Sequence, residues 1–206
     1  VHPTLFPHEI YLENFQKIFS DSYFGRYFLN SMISSVTVTV VSVLTSALVG
    51  YVFAKFKFPL KKVFFYAILA TIMVPFESFI VPLYNFVRSM GAINTYFGIV
   101  FPRIISSFGI FFMKQNMEQI PDALIEAAKI DGAGNWFILE KIILPLSISS
   151  ISVISILLFI TEWSSYLWPL IIATKKEMFV LEIGLTLLQD EYFVDYGMMM
   201  AGCVVA

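Results

Sequence analysis

The apolar residues of this chain neither alternate nor recur on one helical face; they run on. No charged residue interrupts the sequence from Tyr27 to Ala54, and none does from Ile142 to Thr161. A helix rising about 1.5 Å per residue needs roughly 20 apolar residues to cross a hydrocarbon core. Both runs predict transmembrane helices, because core helices of soluble proteins seldom stay apolar beyond about 14 residues and keep a polar stripe. A second span is expected from Val63 at least to Pro75, with Glu77 and Pro82 marking its irregular outer end and Arg88 to Asn94 an external turn. A third runs from about Tyr96 to Met113, and the run from Ile142 is the fourth. The chain turns apolar again at Tyr196 but stops after 11 residues, about half a span. This, with a first residue that is Val, leads to the expectation of a fragment lacking an N-terminal portion and the end of a last helix.

Charge orients the spans. The first ends in Lys55-Phe56-Lys57-Phe58-Pro59-Leu60-Lys61-Lys62, four lysines and no acid, so this loop is expected on the cytoplasmic side. Residues 1–26 are then an extracytoplasmic segment, and 27–206 a membrane domain with a cytoplasmic segment at 114–141. The Thr174 to Asp195 stretch becomes an external loop, and Trp163, Tyr166 and Trp168 suit an interfacial aromatic belt. Small residues at Ser34, Ser42, Ser46, Gly50 and Ala54 share one face of the first span, where a second helix can approach closely, in this chain or in another subunit.

The segment 114–141 holds eight charged residues in an otherwise greasy chain. Pro121-Asp122 is a helix start signal, with Asp122 placed to accept from free amides. Ile120, Leu124 and Ala127 or Ala128 repeat at helical spacing, and Glu126 and Lys129 stand three apart, where they can pair. Asp131-Gly132 breaks this helix, since Gly reaches positive φ without a Cβ penalty. Asn135 is expected to cap a second helix, with Trp136, Leu139 and Ile143 on one face, that merges into the fourth span. A helix of about ten residues is marginal in water by itself, so a partner surface is expected to dock on it.

Composition narrows the function classes. With 58% hydrophobic and 14% charged residues and a mean hydropathy of +0.80, there is too little polar surface to coat a soluble globule. One cysteine, Cys203, and two histidines near the N-terminus leave no disulfide framework and no Cys/His metal cluster. Neither a nucleophile elbow nor a Walker phosphate loop is present, so no catalytic residues are assigned and the chain is not expected to be an enzyme. A net charge of -2 does not imply a nucleic-acid partner.

The run Glu126-Ala127-Ala128-Lys129-Ile130-Asp131-Gly132-Ala133, followed after eleven residues by Pro145, resembles the EAA loop of ATP-binding-cassette importer permeases, usually EAAxxDGAxxxxxFxxIxLP. Leu139 stands where phenylalanine is common, which keeps the position apolar. Leu29-Asn30-Ser31, Phe56-Lys57-Phe58-Pro59, Val74-Pro75, Ile93-Asn94-Thr95-Tyr96, Phe108-Gly109-Ile110-Phe111, Trp163 to Leu170 and Met200-Ala201-Gly202 are similar, in order, to stretches of the maltose-transporter-like carbohydrate permeases. The resemblance implies an all-α polytopic transmembrane bundle, six spans when complete and about four complete here, in a bacterial or archaeal cytoplasmic membrane. It implies a sugar or oligosaccharide importer with a second, different permease subunit, two copies of a cassette ATPase that hydrolyse the ATP, and an extracytoplasmic solute-binding protein approached by the 174–195 loop. No cofactor bound by this chain is implied. Glu126, Ala127, Ala128, Asp131, Gly132 and Ala133 become the ATPase-coupling residues, Glu126 by charge pairing and Gly132 by permitting the turn.

For a solute path the polar residues within the spans are the candidates. Arg103, halfway along the third span, needs a partner or a route to water. It either lines the path, paired with Glu77, or snorkels to the outer interface. Asn30 and Glu162, near outer ends, are candidates of the same kind. Rival readings are a permease for glycerol phosphate, peptides or amino acids, a membrane scaffold that recruits a partner through the same loop, or a channel.

Overall fold

The computed structural model describes residues 12–20, 23–188 and 196–205. Among these, every regular element is helical. A short α1 (Glu13–Ser20) leads to α2 (Phe24–Lys55), among the described residues the one unbroken helix long and apolar enough to cross a membrane. The other expected spans are bent pairs. Helix α3 (Lys61–Ile72) meets a 3-10 turn and α4 (Ile80–Ser89) at 95°; α5 (Tyr96–Val100) and its 3-10 extension meet α6 (Ser107–Glu118) at 47°. After α7 (Asp122–Ile130), the segment from α8 (Asn135–Ile138) through α9 (Leu144–Leu146) meets α10 (Ile148–Trp163) at 77°. Counting each bent pair as one span gives up to four crossings. Helices α11 (Leu167–Ile172), α12 (Leu181–Leu187) and α13 (Tyr196–Val205) complete the chain.

These bends correct the expected straight third and fourth spans. The third breaks at residues 104–106, and α6 carries Lys114 and Glu118 in its final turns, so the helix ends five residues later than the hydropathy predicts. The fourth does not continue smoothly from the second helix of the 114–141 segment. Pro145 has no N–H to give Lys141, and its ring crowds that carbonyl. Residues Leu139–Ile143 therefore wind as a π-helix, and the chain turns at Ser147 before α10 begins.

Helix α2 is the spine, packed most extensively on α6 and next on α10. The small-residue stripe explains that order: Ser34, Ser42, Ser46 and Gly50 are buried. A Cβ on Gly50 would lie 2.9 Å from Met113 Cβ and 3.0 Å from Lys114 N, and one on Gly109 would collide with Ser46. The stripe thus packs within the chain.

Three apolar clusters divide the core. At the lysine end, Ala47 and Tyr51 of α2, Met113 and Met117 of α6, and Ile125, Ile138, Leu139 and Ile143 form the first. At the opposite end, Val87, Ala92, Ile99, Trp168 and Ile172 form the second, while Ile18, Phe24, Leu181 and Ala201 form the third. Trp168 is 1% exposed and its indole Nε1 donates to the Gly98 and Ile99 carbonyls at 3.2 and 3.1 Å. It is a core residue, which corrects its assignment to an aromatic belt.

Candidate functional site

Two features carry chemistry, an exposed turn at the lysine end and a polar cleft between spans. The turn starts where α6 stops. Asp122 is the first residue of α7, but its carboxylate does not cap the helix. It accepts instead from Lys55 Nζ at 2.7 Å, and the same ammonium donates to the Ile120 carbonyl. Lys55, the last residue of α2, is thereby a tether that nothing in the sequence pattern marks. Its side chain is 5% exposed and reaches this partner across a long loop closure.

The hydrogen bond from Lys55 and its charge hold the Asp122 carboxyl below the usual carboxylate range. A depressed carboxylate contributes stability above its unfolded pKa and loses it as pH falls through the folded value. Amide protection factors in α7 are therefore expected to hold unchanged down to about pH 4 and to drop below it. Asp122→Asn should remove that acid-dependent step, and hydrogen exchange monitored by mass spectrometry checks both.

Helix α7 ends in a Schellman motif. Ala133 N–H bonds to the Ala128 carbonyl at 2.9 Å and Gly132 N–H to that of Lys129 at 3.0 Å, with Gly132 at φ +85°. The expected glycine turn is present, and it satisfies carbonyls that would otherwise be orphaned. Ala128, Asp131, Gly132 and Ala133 line one hollow with Phe137, whereas Glu126 and Ala127 face outward beside it. No ion pair joins Glu126 to Lys129 among the described residues. Asn135 does not cap; Gly134 occupies the cap position and Asn135 is already helical.

The inward face also differs from the expected one. Ile125 is buried and Ala128 half-buried, while Leu124 is exposed; Ile120 lies before the helix begins. Leu139 and Ile143 reach the core as expected, but Trp136 stands in the first turn of α8, beyond the core's edge, 67% exposed. Leu124, Phe137 and an 86% exposed Ile130 are further apolar side chains of this turn that stay exposed among the described residues.

The cleft lies between α10 and the break ahead of α6. Arg103 Nε donates to Glu162 Oε2, and the guanidinium sits 5.2 Å from the centre of the Phe76 ring. Glu162 is 5% exposed, and Arg103 opens onto a cleft shared with Ser106, Leu158 and Thr161. Arg103 is paired with Glu162, which corrects the pairing with Glu77 expected from the sequence. Glu77 is exposed on the 3-10 turn, one residue past Phe76, and makes no ion pair among the described residues. Arginine and glutamate are 59 positions apart, beyond the reach of any local pattern.

Asn30 is placed differently again. It is 1% exposed; its Nδ2 donates to the Glu177 and Phe179 carbonyls at 2.9 and 2.8 Å, and its Oδ1 accepts from Tyr96 OH at 2.6 Å. Both amide hydrogens and the amide oxygen are thus bonded to the chain itself. Ser31 Oγ accepts from Leu181 N at 2.8 Å, and Asn94, at φ +60°, accepts from Thr174 and Lys175 N–H at 2.7 and 2.9 Å. These side chains fold the expected external loop back onto α2 and α5, as an ordered hairpin through Leu188; its residues 189–195 lie outside those described. Asparagine tolerates the left-handed region, and Asn94 before Thr95 was the one local signal available.

A family model, described as the binding-protein-dependent transport system inner membrane component, matches residues 42–206. The chain belongs to that family. Curated relatives of the permease include the arabinooligosaccharides transport system permease protein AraQ of Halalkalibacterium halodurans, 34% identical over 97% of this chain and 72% of its own length. The lactose transport system permease protein LacG of Rhizobium radiobacter is 31% identical over 94% of the chain and 71% of its own length. The sn-glycerol-3-phosphate transport system permease protein UgpE of Rhizobium meliloti is 35% identical over 80% and 58%. A chain from the crystal structure of a bacterial transporter importing the acidic polysaccharide alginate superposes with a TM-score of 0.85, at 22% identity, over 97% of this chain and 75% of that one. The permease therefore has the all-helical bundle fold expected of it, in a membrane.

Proposed function

We propose that the permease forms half of the solute path of an ATP-driven importer for a sugar or oligosaccharide, a multi-pass protein of a bacterial or archaeal cytoplasmic membrane. The observation that carries the coupling role is the turn at 122–137, which presents Leu124 and Ile130 to the outside on a nine-residue helix and Trp136 and Phe137 at the start of the next. So short a helix is marginal unless docked, and so concentrated an apolar surface marks an interaction site. A cassette ATPase is the occupant this reading assigns, with Glu126, Ala127, Ala128, Asp131, Gly132 and Ala133 at the contact. That ATPase, present in two copies, binds and hydrolyses the nucleotide; this chain binds no cofactor. A second, different permease subunit and an extracytoplasmic solute-binding protein complete the assembly.

The internal packing offers a route for the motion. Ile125 of α7 and Ile138, Leu139 and Ile143 beyond the turn share one cluster with Ala47, Tyr51, Met113 and Met117 of the two principal spans. Lys55 ties α7 to the end of α2. Moving the turn moves both helices, and an outward-facing and an inward-facing bundle are the two states that nucleotide binding biases. On the path, Arg103 and Glu162 are the charged groups of the cleft, beside Ser106 and Thr161, and Glu162 neutralises the arginine. That favours an uncharged solute, in keeping with the saccharides named for two of the relatives.

The test is recovery of the full-length assembly from its native membrane with unmodified protein and with Glu126→Lys. The ATPase is expected to be lost from the variant while the second permease stays. Equal recovery of ATPase with both would overturn the docking role, and a scaffold in place of an importer would show as ATPase recovery without uptake of labelled oligosaccharide into proteoliposomes.

A further inference from the structure

The lysines following α2 do more than mark a side. Lys61 and Lys62 open α3, and Lys114 arrives beside them from the last turns of α6, so that the three line one cleft with Phe65, Tyr66 and Glu118. Topology requires positive charge in the loop; it does not require a helix fifty residues later to add a third cation to the same recess. The Lys114 ammonium lies 5.0 Å from the centre of the Phe65 ring and is paired with Glu118, and Lys61 Nζ donates to the Phe56 carbonyl at 3.0 Å. Lys62 is exposed and makes no hydrogen bond or ion pair among the described residues. A shallower hollow with Lys57 extends the basic surface. Three cations face one carboxylate, leaving an excess of positive charge.

Below this recess stands an apolar wall. Helix α3 buries none of its twelve residues, and Val63 and Phe64 are 60% and 55% exposed. At about 1.5 Å per residue it is about 18 Å long, close to the roughly 15 Å of one hydrocarbon leaflet. A free phosphate would satisfy the lysines and leave this wall bare. A molecule with an anionic head and acyl chains matches both.

We propose that the cleft binds an anionic phospholipid, its phosphate among Lys61, Lys62 and Lys114 and its acyl chains along α3. The proposal stands on the membrane fold and is independent of which solute the permease carries. Each lysine near an anionic headgroup contributes about 1 kcal/mol, about a fivefold change in affinity.

The test uses the full-length transporter with all its subunits in detergent, titrated with fluorescent phosphatidylglycerol and with the phosphatidylcholine analogue. Phosphatidylglycerol should bind more tightly, Lys62→Gln should weaken it about fivefold, and Lys61→Gln/Lys62→Gln/Lys114→Gln by well over tenfold. Lys129→Gln, on α7, should leave it unchanged. Lys62→Gln replaces an exposed, unpartnered side chain and keeps the test available if the triple variant does not fold. Equal affinity for the two lipids, or insensitivity to Lys62→Gln, overturns the site. Displacement of the lipid by inorganic phosphate overturns the lipid in favour of a free anion, and a photocrosslink to a second subunit from a benzophenone-bearing residue placed at position 64 overturns it in favour of protein covering α3.

Discussion

Replacing Arg103 with alanine is expected to cost the permease about 3–5 kcal/mol, the largest effect of any single substitution considered. The loss is not that of a favourable ion pair, because in a low-dielectric setting attraction between such groups does little more than offset their desolvation. It comes from Glu162, which is left 5% exposed between helices with no cation beside it. Glu162→Ala should cost less, since the Arg103 side chain is 21% exposed and opens to the cleft, with Phe76 under its guanidinium. Arg103→Met/Glu162→Met removes both charges and should recover most of the stability. The measurement is the temperature at which the purified assembly aggregates, read beside oligosaccharide uptake. A double variant that is as stable as the unmodified protein and transports nothing assigns the pair to the solute path; full transport removes it from that path and leaves a purely packing role.

Gly50→Leu is expected to separate the two principal spans. Its Cβ already falls 2.9 Å from Met113 Cβ, and its neighbour at 3.0 Å is the backbone nitrogen of Lys114, which cannot swing aside as a side chain would. Overpacking of this kind costs about 1–3 kcal/mol where a rotamer can yield, and a backbone clash places the expected loss at the top of that range. The consequence reaches the turn at 131–133, because Met113 belongs to the cluster that holds Ile125 and Ile143. Lower thermal stability and reduced ATPase recovery are therefore expected together. Gly25→Leu is the control: nothing lies within 4 Å of a Cβ there and leucine is the better helix former, so it should not lower stability. Equal losses from both would show that the added apolar bulk by itself, and not the close approach of α2 and α6, sets the cost.

The turn at 131–133 was legible in sequence because its determinant is local. Only a residue free of Cβ penalty sits easily at φ +85°, and two backbone hydrogen bonds within six residues complete the motif. The small-residue stripe of α2 was legible for the same reason, since helical periodicity alone places Ser34, Ser42, Ser46 and Gly50 together. Hydropathy located four apolar stretches, as burial in a bilayer is a sum over residues that any window can take. What it could not take was direction. Pro75, Pro102 and Pro145 are visible, yet proline is tolerated in membrane helices whose neighbours re-satisfy the freed groups, so the angles of 95°, 47° and 77° are set by what each half packs against.

The pairings were hidden altogether. Arg103 with Glu162, Lys55 with Asp122, and Asn30 with the Glu177 and Phe179 carbonyls join positions 59 to 149 residues apart. A sequence states that a buried charge or amide must find a partner, because leaving one unsatisfied costs more than most folds can spare. It does not state which one, since every carboxylate on a neighbouring helix is an equal candidate until the helices are placed. Thus the membrane class, the small-residue seam of α2 and the glycine turn follow from local and additive properties of these residues. The bent spans, the partner of Arg103, the tether at Lys55 and the meeting of Lys114 with Lys61 and Lys62 depend on three-dimensional proximity, which only the packing of α2, α6 and α10 supplies.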